Sequence, residues 1–216
     1  MASERRRRNP VCYNRRMLRR VHPLILAAVF LAVALLVAGF GPRERSLGVS
    51  VRLVYLHGAW VWTALLGFAA AAVAGLAGLL FRRVNWQRVS IALGQAATLF
   101  WVTYLPMSLL VMQANWNGLF LDEPRFRIGL DFALIAVLLQ AGILLLDRPA
   151  SASAVNIVYF AGLAWSLAAS REVMHPASPI ASSGWLALQA YFAGLTLICV
   201  AAGTQIARWL HRRLVA

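Results

Sequence analysis

Six long apolar runs, separated by short polar segments, dominate the hydrophobic pattern of the chain. Each run is close to the roughly 20 residues with which an α-helix crosses about 30 Å of hydrocarbon. The pattern therefore predicts an all-α integral membrane protein: a six-helix membrane domain at 23–207 between basic tails at 1–22 and 208–216. The predicted spans are about 23–41, 54–81, 89–111, 128–147, 154–171 and 184–207.

The composition is that of a membrane protein, with 61% hydrophobic and 13% charged residues. A soluble domain of this size leaves roughly a third of its chain surface in water, which is too much for so apolar a sequence. The net charge of +14 comes from 21 arginines and no lysine. Because the arginines cluster at the ends of apolar runs, they indicate topology and contact with membrane lipid, and not a nucleic-acid partner.

The arginines are unevenly distributed between the two sides of the predicted bundle. Fifteen lie in the two tails and in the second and fourth connections, whereas six lie in the other connections. Arginine is enriched in cytoplasmic loops, so both termini are predicted to be cytoplasmic. The connections at 42–53, 112–127 and 172–183 are then the external loops.

Two histidines are predicted on the external side, His57 at the start of the second span and His175 in the last external loop. A single histidine at this depth is usually a hydrogen-bonded interfacial side chain. Two at the same depth also match the pair of neutral imidazoles that can occupy both axial positions of a haem iron. Zinc is the weaker hypothesis, because a structural zinc site needs four ligands and external carboxylates are few. His22 and His211 belong to the cytoplasmic flanks.

The external loop "MQANWNGLFLDEPRF" separates the two histidines in sequence and contains Trp116 and Phe120. Aromatic residues at this depth normally form the interfacial belt. Within a loop containing Asn, Gly and Pro they also suit a shelf for a flat macrocycle, and Arg125 and Arg127 could bind its propionates. Asp131 is expected to pair with Arg127, four residues earlier on the same helix face.

These stretches resemble the haem exporter protein C (CcmC-like) family of cytochrome c assembly, over roughly residues 20–207. The family's second span opens much like "YVHVPSAWMAL", and "YLHGAWVWTAL" aligns with it without a gap, placing His57 on the family histidine and Trp62 on its tryptophan. The stretch "MHPASPI" around His175 is similar to the family's "LHQPASI".

The family's tryptophan-rich loop, approximately "WGxxWxWDPR", is similar to "WNGLFLDEPR", again without a gap. Trp116, Pro124 and Arg125 are identical in type, and Phe120 replaces the second tryptophan. The loop motif of this chain is therefore divergent, and its remaining members are Asn117, Gly118, Asp122 at the third tryptophan and Glu123 at the aspartate.

The resemblance implies a haem-handling protein that is not an enzyme, in the multi-pass cell membrane of a bacterium or archaeon, with its functional loops on the extracytoplasmic side. It implies that haem b is bound there, presented to a haem chaperone, and released with the help of ABC-transporter subunits. The residues implied are His57 and His175 as axial ligands, Trp116, Phe120, Trp62 and Trp60 as the pocket, and Arg125 and Arg127 at the propionates.

Two other functions remain open at this stage. A cytochrome b-like electron-transfer subunit would hold haem deeper, with ligands well inside its helices. A non-haem transporter or structural subunit would carry polar groups near the membrane midplane, for which the spans offer scattered residues such as Gln95, Gln140 and Gln189.

Overall fold

The computed structural model describes residues 21–45, 47–170 and 180–215. Within these residues the fold consists of six α-helices and one short 3-10 turn at Ala181–Ser183. The helices are α1 Pro23–Gly39, α2 Val51–Leu80, α3 Val84–Trp116, α4 Pro124–Leu146, α5 Pro149–Ala169 and α6 Leu186–Val215.

Five of these helices, α2 to α6, are long and apolar enough to cross a membrane. α1 is equally apolar but has 17 residues, which corresponds to a length of about 26 Å. The prediction of an all-α fold is thereby confirmed for the described residues, and the length and hydropathy of five helices are those of a multi-pass membrane protein. The end of the bundle where α2 and α4 begin and α3 ends is called the His57 end.

The helix boundaries follow from local capping residues. α3 continues through Trp116, beyond the predicted boundary at 111, and ends where Asn117 adopts a left-handed conformation with φ of 51°. α4 begins at Pro124, a favourable first-turn residue, behind Glu123, whose side chain accepts a hydrogen bond from the Phe126 backbone N–H. The connection between α3 and α4 is therefore limited to residues 117–123, and Trp116 belongs to a helix.

Small residues let α2 and α3 pack closely as an antiparallel hairpin. A Cβ added at Gly67 would lie 2.9 Å from the Cβ of Ala97, and one added at Gly75 would lie 3.0 Å from the Ser90 hydroxyl. Close approach through small residues is the usual way in which transmembrane helices gain packing energy. The same antiparallel register brings the start of α2, with His57, beside the middle of α3.

A buried polar network joins four helices near the opposite end of the bundle. Asn156 of α5 donates through Nδ2 to the Ser90 carbonyl and hydroxyl oxygens of α3, both at 3.0 Å. The Ser90 hydroxyl donates to the Ala71 carbonyl of α2 at 2.7 Å. Gln140 of α4 donates to Asn156 Oδ1 at 3.3 Å. These bonds tie α4 and α5 to the α2–α3 hairpin at one point.

We expect Asn156→Ala to lower the free energy of unfolding by about 1–2 kcal/mol, the upper range for hydrogen bonds between transmembrane helices. The reason is that the substitution removes every bond that converges on this side chain. The measurement is equilibrium unfolding in mixed micelles containing SDS, followed by circular dichroism. Thr204→Val is the control, because the Thr204 hydroxyl binds only the Val200 carbonyl of its own helix. Equal stability of the two variants would contradict the prediction.

Candidate functional site at the His57 end

His57 lies six residues into α2, about 9 Å from the start of the helix. Its side chain is half-buried, and its ring centroid is 5.8 Å from that of Tyr104 on α3. At the adjacent Gly58, an added Cβ would lie 3.1 Å from the Phe192 ring of α6. The imidazole therefore lies beside Tyr104 of α3, and the backbone next to it, at Gly58, is in close contact with α6.

Tyr104 is buried and is positioned by two neighbours that the sequence analysis did not single out. Its hydroxyl occupies the space that a Cβ would fill at Gly129 of α4. The Trp101 ring lies 4.7 Å from the Tyr104 ring, and Trp101 Nε1 donates to the Gly129 carbonyl at 3.2 Å. Trp101 and Tyr104 are three residues apart on α3, so they share a face. That spacing was the available sequence signal, but nothing local indicated that α4 would supply a glycine opposite them.

Glu123 is the most buried acidic side chain at this end, with 5% of its surface exposed. Its Oε2 accepts the Phe126 backbone N–H at 2.7 Å, which caps α4. Its Oε1 is buried and has no hydrogen-bond partner among the described residues. The carboxylate also lies close enough to Tyr104 to interact with it electrostatically. The loop-motif residue predicted at this position therefore caps the helix that carries Gly129.

Trp116 and Phe120 form an edge-to-face pair with centroids 5.9 Å apart and rings inclined at 77°. Phe120 is 38% exposed, and Gly118 provides space beside its ring. Trp116 follows Tyr104 by twelve residues on α3, a rise of about 18 Å. The aromatic pair therefore lies about three helical turns beyond the residue against which His57 packs.

The two candidate propionate-binding arginines lie in the first turn of α4. Arg125 Nε donates to the Ser170 hydroxyl at 3.4 Å, at the residue that ends α5. Arg127 Nη1 lies 3.6 Å from Asp122 Oδ1, and both side chains are exposed. The predicted Arg127–Asp131 ion pair does not form within the described residues, because the guanidinium turns back toward the connection that precedes α4.

The tryptophans of α2 occupy different surroundings. Trp60 Nε1 donates to the Thr103 hydroxyl at 2.8 Å, and its ring lies 4.6 Å from that of Phe100. Trp62 has 43% of its surface exposed on the outside of the bundle. Trp60 therefore helps join α2 to α3, whereas Trp62 is placed toward lipid.

His175 and most of the predicted loop at 172–183 lie outside the described residues. Within the described part of the chain, no group of three or more His, Cys, Asp and Glu side chains could hold a metal ion. His22 and His211 lie at the opposite end of the bundle, at the start of α1 and in the last turns of α6.

No protein family, no curated protein and no solved structure matches the sequence.

Proposed function

We propose that this chain is a haem-binding membrane protein of cytochrome c maturation, which carries haem b as cargo and delivers it to a haem chaperone. The observation that carries the proposal is the surroundings of His57. A half-buried imidazole lies beside the buried ring of Tyr104, at the same end of the bundle as the Trp116–Phe120 pair and two arginines. This donor set has the chemistry that haem requires: an axial nitrogen, apolar surface and cations for carboxylates.

The proposed topology has six spans with both termini in the cytoplasm. Within the described residues, the end opposite His57 carries seven arginines and the His57 end carries five. The sequence adds eight more arginines in residues 1–20, which precede α1 at the end opposite His57. This asymmetry supports a cytoplasmic location for that end. The His57 end then faces the extracytoplasmic side, where a soluble haem chaperone can reach it.

In this proposal His57 provides one axial bond to the haem iron, and His175 provides the other. Arg125 binds a propionate, since it already lies next to Ser170, five residues before His175 in sequence. The Trp116–Phe120 pair, which lies farther out along the bundle, contacts the macrocycle as it enters or leaves. Of the two α2 tryptophans that the resemblance implies for the pocket, Trp60 supports the site indirectly by joining α2 to α3, and Trp62, on the outside of the bundle, is not assigned to it.

Such a site suits a carrier because its inner contacts would bind haem more firmly than its outer contacts. The axial bond at His57 is supported by a buried aromatic layer, whereas Phe120 and Arg127 are exposed and hold their neighbours weakly. Surface ion pairs contribute little binding energy, so the outer part of the site can release its contacts easily. Release to the chaperone, aided by ABC-transporter subunits, requires no covalent chemistry from this chain.

The test is the haem content and Soret spectrum of protein purified from haem-replete cells. We expect wild type to contain haem and His57→Ala to lose it by roughly tenfold or more, since loss of even an outer-shell partner costs about 10–100-fold in metal affinity. His175→Ala is expected to show the same loss. His211→Ala, a histidine at the opposite end, is the matched control and should retain the wild-type spectrum.

Wild-type haem content in both His57→Ala and His175→Ala would refute the axial assignment. Haem-free wild-type protein would favour the second candidate, a non-haem transporter or structural subunit. The network of Ser90, Gln140 and Asn156 is the observation that favours it, because transporters place polar groups between helices inside the membrane. Haem retained with a stable, reversible redox couple would favour the cytochrome b-like alternative. Such a subunit holds haem on ligands inside its helices, and His57 lies about 9 Å into α2.

A further inference from the structure

Helix α4 presents a carboxylate on its outer face, well inside the segment that is long enough to span a membrane. Asp131 is seven residues beyond Pro124, a rise of about 10 Å along the helix. Its side chain is exposed, and within the described residues it makes no hydrogen bond or ion pair. An ionised side chain in hydrocarbon is costly and is normally paired. Lipid tails provide no partner and the described residues of this chain provide none, so another protein surface is the candidate source of one.

Asp131 lies on the side of α4 that faces away from the interior of its own bundle. The buried residues of α4 are Phe126, Gly129, Ala133, Ala136 and Ile143, which form one stripe at 3.6 residues per turn. Asp131 lies on the opposite side of the helix from this stripe. Arg127 lies one turn away on the same outer face, and its guanidinium is 3.6 Å from Asp122 and not bound to Asp131. Because both of those side chains are exposed, their ion pair is weak and Arg127 can exchange it for another partner.

The outer face continues as a regular seam toward the other end of the helix. From Arg127 and Asp131 it runs at alternating spacings of three and four residues through Leu134, Leu138, Ala141 and Leu145. This is the spacing of the contact positions when two helices pack along their length. Leu134, Leu138 and Leu145 are 63%, 62% and 86% exposed, so the seam is uncovered along its whole length.

We propose that α4 pairs with α4 of a second copy of this chain about a two-fold axis along the membrane normal, with Arg127 of each copy bound to Asp131 of the other. A two-fold interface contains each contact twice: Arg127 of the first copy meets Asp131 of the second, and Asp131 of the first copy meets Arg127 of the second. A second copy is the occupant that the charges favour. It carries the required cation on the same face and one helical turn from the carboxylate, whereas an unrelated helix would have to supply a matching cation at the same depth.

The test uses two charge reversals, Arg127→Asp and Asp131→Arg, in full-length protein reconstituted in liposomes. Self-association is measured by energy transfer between donor-labelled and acceptor-labelled copies as the lipid is diluted. We expect wild type to associate, and each variant alone to associate roughly tenfold more weakly, because its seam then carries one sign of charge and its interhelical bonds are lost. An equal mixture of the two variants is expected to recover association, since each acid again faces a base.

A second pair of variants tests the seam without altering charge. Leu138→Ala is expected to weaken association, and Leu144→Ala is its matched control because Leu144 is equally exposed, at 63%, but lies on the flank of α4. In a Cys12→Ser background, Leu138→Cys should cross-link between copies in membranes, and Leu144→Cys should not. This experiment remains decisive if the charge variants fail to fold.

Monomeric wild-type protein at all lipid dilutions would overturn the proposal and would leave Asp131 to a different partner. Unchanged association of both charge variants, or equal cross-linking at positions 138 and 144, would overturn it as well. The inference is independent of haem, so haem content need not change in Asp131→Arg, Leu138→Ala or Leu144→Ala. Arg127→Asp is left out of that comparison because Arg127 belongs to the proposed haem site.

Discussion

Gly129→Ala is expected to lower the free energy of unfolding by about 1–3 kcal/mol, the usual cost of forcing extra volume into a packed core. The Tyr104 hydroxyl already occupies the space that the new methyl group would need. Tyr104 must therefore move, and the ring that packs against His57 moves with it. The measurement is equilibrium unfolding in mixed micelles, together with the haem content of the purified variant.

Gly142→Ala on the same helix is the matched control for this substitution. A Cβ added at Gly142 meets nothing within 4 Å, and alanine favours a helix over glycine by about 1 kcal/mol. We therefore expect Gly142→Ala to be neutral or stabilising. A Gly129→Ala variant as stable as wild type would show that Tyr104 can move at little cost, and that α4 does not restrain the surroundings of His57.

Trp101→Ala is expected to have the largest effect on stability, a loss of about 3–5 kcal/mol, typical of truncating a buried aromatic residue. Trp101 is 2% exposed and belongs to the largest hydrophobic cluster of the described residues. Its ring packs on Phe68 and Tyr104, with centroids 6.1 Å and 4.7 Å away. The unfolding measurement described for Gly129→Ala applies unchanged.

Two further variants separate the contributions of Trp101. Trp165→Ala removes a tryptophan that is 78% exposed and is expected to change stability by less than about 0.5 kcal/mol. Trp101→Phe keeps most of the ring volume but removes the hydrogen bond to the Gly129 carbonyl, so its cost should fall between the other two. A Trp101→Ala protein that unfolds like Trp165→Ala would contradict the packing described for α3 and α4.

The position of His57 illustrates how far local sequence could define the site. The apolar pattern predicted that the second span begins near residue 54, with the histidine at its opening. The helix begins at Val51, because polar residues such as Arg52 continue the helix beyond the apolar run. His57 is consequently two turns inside the helix and faces α3. The hydrophobic pattern predicts where a helix enters lipid, but it does not predict the residue at which helical hydrogen bonding begins.

In the connection between α3 and α4, too, the sequence identified the residues but the structure decided their positions. Its motif residues were recognised from their spacing, yet their positions depend on capping. Asn117 ends one helix in the left-handed region, and Glu123 begins the next by accepting a backbone N–H. Asp122, between these caps, then lies within reach of Arg127. The simple i, i+4 rule predicted Asp131 as the partner and was wrong, because it takes no account of residues before the helix start.

The sequence by itself determined that the chain forms long apolar helices, approximately where they are connected, and on which side of the predicted bundle most arginines lie. These properties depend on the composition and the length of each apolar run, which can be read from about 20 consecutive residues. Only the tertiary structure decided that His57 meets Tyr104, that Tyr104 lies over Gly129, and that Asp131 points away from the bundle. Those contacts join residues 25 or more positions apart, or depend on which face of a helix is covered. Both are set by how closely small residues allow the helices to cross.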